Sequence, residues 1–370
     1  MANNIYVGVN GIAKKVKKLY VGVNDVAKKV KRMYIGVGGV ARPCWSGGEL
    51  AYYGTITPLT NAKYMFAATN VGNYALFGGG QNASGTAFND VDAYDKSLTR
   101  TSAPVFESAK YDHSATSTED YGIFSSGYRG LTHVDAYSKS LSRTSAQKPD
   151  VGRYRLAGTT VGNIALFGGG CDAYGKMCKD VDAYDNSLTR TTPAVLNTAR
   201  QNLGATTVGD FAIFAGGHTS NNSSDRTDVV DVYNSSLTRT DATPLGEKVP
   251  IRAATSVGDY AIFLSNNSAY FAMYVYDKSL TMTTITPIIN KRQDVTAVTI
   301  GDYALFSGGN NAGTHGAETL VIGTDLSQSL STPLSKARRL MSATTVGDYA
   351  IFAGGAETST LSTADAYAVI

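Results

Sequence analysis

From Ala51 onward one hydrophobic pattern recurs: a polar turn residue, an aromatic or once isoleucine, three apolar residues with phenylalanine last, and in most units a glycine-rich end. It reads NYALFGGG at Asn73, DYGIFSSG at Asp120, NIALFGGG at Asn163, DFAIFAGG at Asp210, DYAIFLSN at Asp259, DYALFSGG at Asp302 and DYAIFAGG at Asp348. The phenylalanines, at 77, 124, 167, 214, 263, 306 and 352, are 43 to 49 residues apart. A period near 45 residues belongs to repeat folds whose unit is a small sheet. Each unit, such as ATTVGDFAIFAGG followed by TDVVDVYNSSLTRT, divides into four extended pieces, and four strands per unit make one blade. The pattern predicts an all-β, seven-bladed propeller over 51–370.

The first 46 residues follow a different rule. Three 14-residue units, IYVGVNGIAKKVKK from Ile5, LYVGVNDVAKKVKR from Leu19 and MYIGVGGVARPCWS from Met33, each place a turn pair between two five-residue runs. The pairs Asn10-Gly11, Asn24-Asp25 and Gly38-Gly39 tolerate the positive φ of tight hairpins. Period-two alternation puts Val7, Val21 and Ile35 on an apolar face that Lys14, Lys28 and Arg42 interrupt at the same place in each unit. A six-stranded β-meander is predicted over 1–46, acting as an anchor or assembly element through these six residues. The rival reading, a basic amphipathic helix on nucleic acid or membrane, is disfavoured by Val, Tyr and Gly at nearly every other position.

Charge separates the same two segments. Residues 1–50 carry nine Lys/Arg against Asp25 and Glu49, net +7, whereas 51–370 carry 24 basic and 28 acidic residues, net −4. No run approaches the ~18 apolar residues of a membrane helix, and MANNIYVGVNG lacks the layout of a secretion signal. Cys171 and Cys178 could close a loop as a disulfide, but three reduced thiols in a cytoplasmic product are the favoured reading. The ends suggest how a ring closes. AYYGTITPL at 51–59 looks like the end of a unit and the chain stops after the third strand of the seventh, so pairing the two would complete the last blade.

The Gly-Gly strand ends and the tyrosines of DAYD or DVYN, at Tyr94, Tyr137, Tyr184, Tyr233 and Tyr276, resemble kelch repeats across 51–370. The sequence departs from that pattern in lacking the late tryptophan, in Ser125-Ser126 and Leu264-Ser265, and in a sixth unit without the tyrosine. The YVGVNG hairpin units resemble short repeats of phage structural proteins. That resemblance implies a virion-associated protein, assembled in the host cytoplasm, attached to a capsid or tail protein by the hairpins and presenting the propeller to a host-surface glycan or protein. The alternative is an intracellular kelch-type protein-interaction module with the meander as a homo-oligomerisation element.

Chemistry for catalysis is sparse. His113, His133, His218 and His315 lack ligand spacing and read as loop or surface residues, and the glycine runs lack the Gly-Lys-Ser/Thr of a phosphate loop. No catalytic residue, metal, cofactor or nucleic-acid partner is expected. Arg100, Arg143, Arg190 and Arg239 recur in the outer strand and read as a solvated row or, less simply, an anion-binding ring. The turns joining strands one to two and three to four are uniform, whereas the loops joining strands two to three differ in every unit. Diversity on a rigid scaffold marks the binding face, for which Phe88, Tyr128, Arg129, Tyr174, His218, Asn222, Tyr270, Phe271 and His315 are the candidate residues.

Overall fold

The computed structural model describes residues 48–267 and 270–369 with side chains, and the backbone alone of six strands within 6–46. Seven four-stranded antiparallel sheets form the blades of a β-propeller, and the described residues contain no helix. Blade 4 shows the plan: an inner strand Gly204–Val208, then Phe211–Ala215, Val230–Asn234 and an outer strand Arg239–Asp241, each paired to the next. The other inner strands are Ala67–Val71, Ser114–Ser117, Ala157–Val161, Ile251–Val257, Thr296–Ile300 and Ser342–Val346. In blade 7 the outer place is taken by Leu50–Ile56, which pairs with Ala364–Val369 from Leu50↔Val369 to Ile56↔Ala364. Tyr53 packs edge-on against Tyr349 with centroids 5.2 Å apart.

The cores lie between neighbouring blades, because each twisted sheet buries both faces against the next. The recurrent phenylalanine of strand two meets the recurrent tyrosine of strand three edge to face, as in Phe214–Tyr233 and Phe77–Tyr94, with centroids 5.8 and 5.7 Å apart. The tyrosine hydroxyl then donates to a carbonyl in the chain leaving the preceding blade: Tyr94 to Thr57, Tyr137 to Pro104, Tyr184 to Gln147, Tyr233 to Ala194, Tyr276 to Thr243 and Tyr367 to Thr332, at 2.5 to 2.9 Å. Blade 6 has Ile322 instead, and there Gln328 donates to the Thr286 carbonyl at 2.9 Å while accepting from the Ile288 N–H at 3.0 Å. The missing tyrosine is thus replaced by a side chain from the next strand.

The outer-strand arginines are neither a solvated row nor an anion ring. They reach inward to a buried aspartate of strand three, which a second, fully buried cation approaches from the other side. Lys110–Asp135–Arg143 has contacts of 2.7 and 2.6 Å, and Arg200–Asp231 of 2.7 Å with Arg239 on the far oxygen. Arg153–Asp182–Arg190 and Lys63–Asp92–Arg100 repeat the arrangement, and in blade 7 Arg338 and Tyr52 hold Asp365, each at 2.6 Å. Asp92, Asp135, Asp231 and Asp365 also accept a loop N–H, as from Asn197 onto Asp231 at 2.8 Å, so these hubs tie a blade to the connection before it.

Two other expectations are corrected. His113 is a core residue, 8% exposed, packed edge-on against Phe106. Near the N-terminus the strands pair as three separate hairpins, Tyr6–Val9 with Ile12–Lys15, Leu19–Val23 with Val26–Val30, and Arg32–Val37 with Val40–Ser46. No ladder joins the three among the described residues, so they are not one six-stranded meander. The register sets Val7 opposite Lys14, Val21 opposite Lys28 and Ile35 opposite Arg42. The side chains of these six anchor residues, and the three turn pairs, lie outside the described residues.

Candidate functional site at the channel mouth

Where each chain segment enters its inner strand, one residue turns into the left-handed region: Met65, Asp112, Arg155, Asn202, Asp294 and Leu340, with φ between 51° and 55°. This conformation is costly for residues other than glycine. It turns the N–H toward the neighbouring blade, so Asp112 donates to Met65, Arg155 to Asp112 and Asn202 to Arg155, at 2.9 to 3.0 Å, and Leu340 to Asp294 at 3.5 Å. Blade 5 differs. Ile251 makes the bond to Asn202 at 3.2 Å, and a bulge before Ala253 leaves Arg252 at the corresponding place. The result is an arc of backbone bonds from Met65 to Ile251 and a further bond from Leu340 to Asp294, whose own N–H donates to the Asn266 side chain, with seven side chains around the mouth of the central channel.

The mouth cavity has a volume of about 310 Å³ and is lined by those seven residues above Ala68, Ala115, Gly158, Ala205, Ala254, Ala297 and Ala343. The charged members interlock: Arg155 lies 3.4 Å from Asp112, and Arg252 bonds Asn202 at 2.9 Å and Asp294 at 3.2 Å. Arg339 reaches Asp294 at 3.3 Å, and Arg155 also donates to Gln201 at 3.2 Å. Met65 and Leu340 give the remaining arc an apolar edge. At the other end of the axis a second cavity is lined by hydroxyls, among them the bonded pairs Thr116–Thr160 at 2.7 Å and Thr159–Thr207 at 2.9 Å.

A second tier surrounds the mouth, where the segment entering each blade bridges to the start of the variable loop, at Tyr64↔Gln81, Tyr154↔Cys171, Gln201↔His218, Gln293↔Asn310 and Arg339↔Ala356. These bridges put the variable loops and the mouth on one face. Tyrosines fill the tier over blades 1 to 3. Tyr111 and Tyr128 stack at 4.6 Å, Tyr154 meets Tyr128 edge-on at 5.1 Å, and Arg129 and Arg155 lie over Tyr128 and Tyr154 at 5.8 and 5.4 Å. Burial and the neighbouring Tyr128 push the Tyr111 hydroxyl up to about 12, so it remains a neutral donor. His218, on the adjoining blade 4 loop, is pulled below the usual histidine range by burial and then by Arg226, Arg252 and Arg155, which keeps it uncharged at neutral pH.

Of the loop residues singled out from sequence, Tyr128, Arg129 and His218 stand in this second tier. Tyr174 is 96% exposed on the blade 3 loop, next to the blade 4 loop through an Asn221 to Gly175 bond of 2.9 Å, and Asn222 is exposed beside it. Tyr270 and His315 lie on the separate loops of blades 5 and 6. Phe88 and Phe271 are half-buried; the Phe88 backbone is bonded to Gly80 and Lys110, and Phe271 packs on the core between blades 5 and 6. Cys171 and Cys178 are free and buried. Among the described residues no cluster of His, Cys, Asp or Glu is arranged to hold a metal, and no helix is long and apolar enough to cross a membrane. The mouth residues escaped the sequence reading because they share a place in the repeat and no residue type.

No family model matches the chain, and no curated protein matches it. Among solved structures it is similar to that of YjhT, with a TM-score of 0.56 and 12% identity, over 75% of this chain and 99% of that one. At this identity the likeness bears on the propeller fold alone, and the seven blades are read from this chain's own sheets.

Proposed function

We propose that this chain is a non-catalytic binding protein that seats a host-surface glycan at the channel mouth, and that its N-terminal hairpins fasten it to a capsid or tail protein of a virion. The glycan reading rests on one observation: the mouth alternates carboxylate, guanidinium and amide groups around a small cavity, beside a shelf of tyrosines. Sugars present hydroxyls at their edges and C–H groups on their faces, which such a site satisfies together. The attachment reading rests on the phage-like YVGVNG units and their net charge of +7 over residues 1–50. An isolated two-stranded hairpin is marginal in water and gains stability from a partner.

The test is binding of purified protein to a glycan array and to bacterial cells. Arg252→Ala should abolish binding, and Lys139→Ala, in a uniform turn of the opposite face, should leave it intact. Turnover of a bound sugar, or equal binding by both variants, refutes the reading.

A further inference from the structure

We infer that the ligand is an anionic polysaccharide whose end enters the mouth and whose next unit lies across the tyrosine shelf of blade 2, its acid group on Arg129. This rests on the glycan reading and adds the length, direction and charge of the glycan.

The first support is the shape of the loops. Those of blades 1 and 3 fold into small hairpins through the bridges Gln81↔Ala87 and Cys171↔Met177. The blade 2 connection, residues 126–133, is shorter than 79–90 and 169–180 on either side, and no such bridge is formed in it. It therefore leaves a low passage from Asp112 at the mouth over Tyr111 and Tyr128. Tyr111, Tyr128 and Tyr154 are half-exposed, and Tyr174 stands 96% exposed on the neighbouring blade 3 loop. Exposed aromatic surface of this kind marks an interaction site when it adjoins a cavity.

The second support is Arg129. It is exposed, holds a φ of 63° that disfavours any residue but glycine, and makes no ion pair among the described residues. The neighbouring Gly130 leaves no room for a side chain, since a Cβ there would lie 2.9 Å from that of Ala173. A strained backbone that carries an unpaired guanidinium over a tyrosine ring is suited to an anion that also presents an apolar face. The other two shelf-side groups that bear on charge, Asp112 and Arg155, already face each other at 3.4 Å, which leaves Arg129 as the cation for the ligand.

The experiment measures affinity for oligosaccharides of increasing length in four series: neutral maltooligosaccharides, carboxylated hyaluronan fragments, sulfated heparin fragments and phosphate-bearing wall teichoic acid. Anionic chains of two units or more should bind at least about tenfold more tightly than neutral chains of equal length, the worth of one charge-assisted hydrogen bond. Arg129→Gly, which relieves the backbone strain and so keeps or raises the melting temperature, should erase that preference, and Arg129→Lys should restore part of it. The series with the greatest preference identifies the acid. Tyr128→Ala should remove the gain with length, so that chains of two units or more bind no more tightly to it than a single sugar does. Equal affinity for neutral and anionic chains, no gain with length, or competition by peptides instead of glycans overturns the inference; if terminal-sugar binding persists and Arg252→Ala abolishes it, the mouth reading stands without it. Failure of all four series to bind counts against both.

Discussion

Blades 4 and 5 are neighbours with the same strand plan and opposite interiors. Blade 4 buries Arg200, Asp231 and Arg239 as a hub, whereas blade 5 has Val249, Tyr274 and Met282 at the same three places. Val249 and Tyr274 are 0% and 2% exposed, so blade 5 fills with apolar and aromatic surface what blade 4 fills with charge. All three members change together. A buried charge without its partner is more costly than either complete arrangement, so between these two blades the cations and the aspartate are exchanged together. Blade 6 shows the intermediate solution, with Leu320 in place of the aspartate and Arg292 turned to Glu318 at 2.8 Å.

The comparison can be broken most severely in blade 7, whose hub borrows Tyr52 from the outer strand Leu50–Ile56. Deleting 1–60 removes that strand and should cost more than about 5 kcal/mol, whereas deleting 1–46 should leave the melting temperature nearly unchanged; equal losses would mean that the strand does not close the ring. Next in size, Asp231→Ala leaves Arg200 buried without its counter-ion and should cost about 3–5 kcal/mol in chemical denaturation, while Tyr274→Phe at the same place in blade 5 should cost under about 1 kcal/mol.

A titration comes third. His113 in blade 2 stands where blade 4 has Leu203, and burial followed by the charges of Lys110 and Lys63 holds it well below the usual histidine range. The unfolded chain takes up a proton there below about pH 6.5 and the folded chain does not, so stability is complete above that pH. Below it, about 1.4 kcal/mol should be lost per pH unit from this residue. His113→Leu should flatten that slope relative to wild type between pH 7 and 5, and an unchanged slope would assign the acid sensitivity elsewhere. The smallest effect is the sharpest test: Arg200→Val, Asp231→Tyr and Arg239→Met together transplant the blade 5 interior and should fall within about 1–2 kcal/mol of wild type.

The blades were legible in the sequence because their signals are local. Phe214, the Val208-Gly209-Asp210 turn and Tyr233 each announce their strand within a few residues, and the same spacing returns seven times. The hubs were not legible, since Arg200, Asp231 and Arg239 meet from a loop, the third strand and the outer strand. Arg239, alternating with Thr238 and Thr240, looks like any polar residue on an edge. The mouth was hidden for a different reason. Met65, Asp112, Arg155 and Asn202 have in common a left-handed φ and a backbone bond across the ring, and neither is written in side-chain type. At the N-terminus alternation identified the hairpin strands, but the number of sheets depends on whether neighbouring hairpins pair, on which a period-two pattern is silent.

The strand that completes blade 7 is also the one that continues into the hairpins, through only residues 47–49. Any pull on the hairpins therefore arrives at Leu50, where that strand begins its pairing with Val369. The ring is loaded at its clasp before any other blade. Mechanical strength is then set by one antiparallel pairing, the Tyr52–Asp365 bond and the Tyr94 hydroxyl on Thr57, and not by the stability of the seven blades.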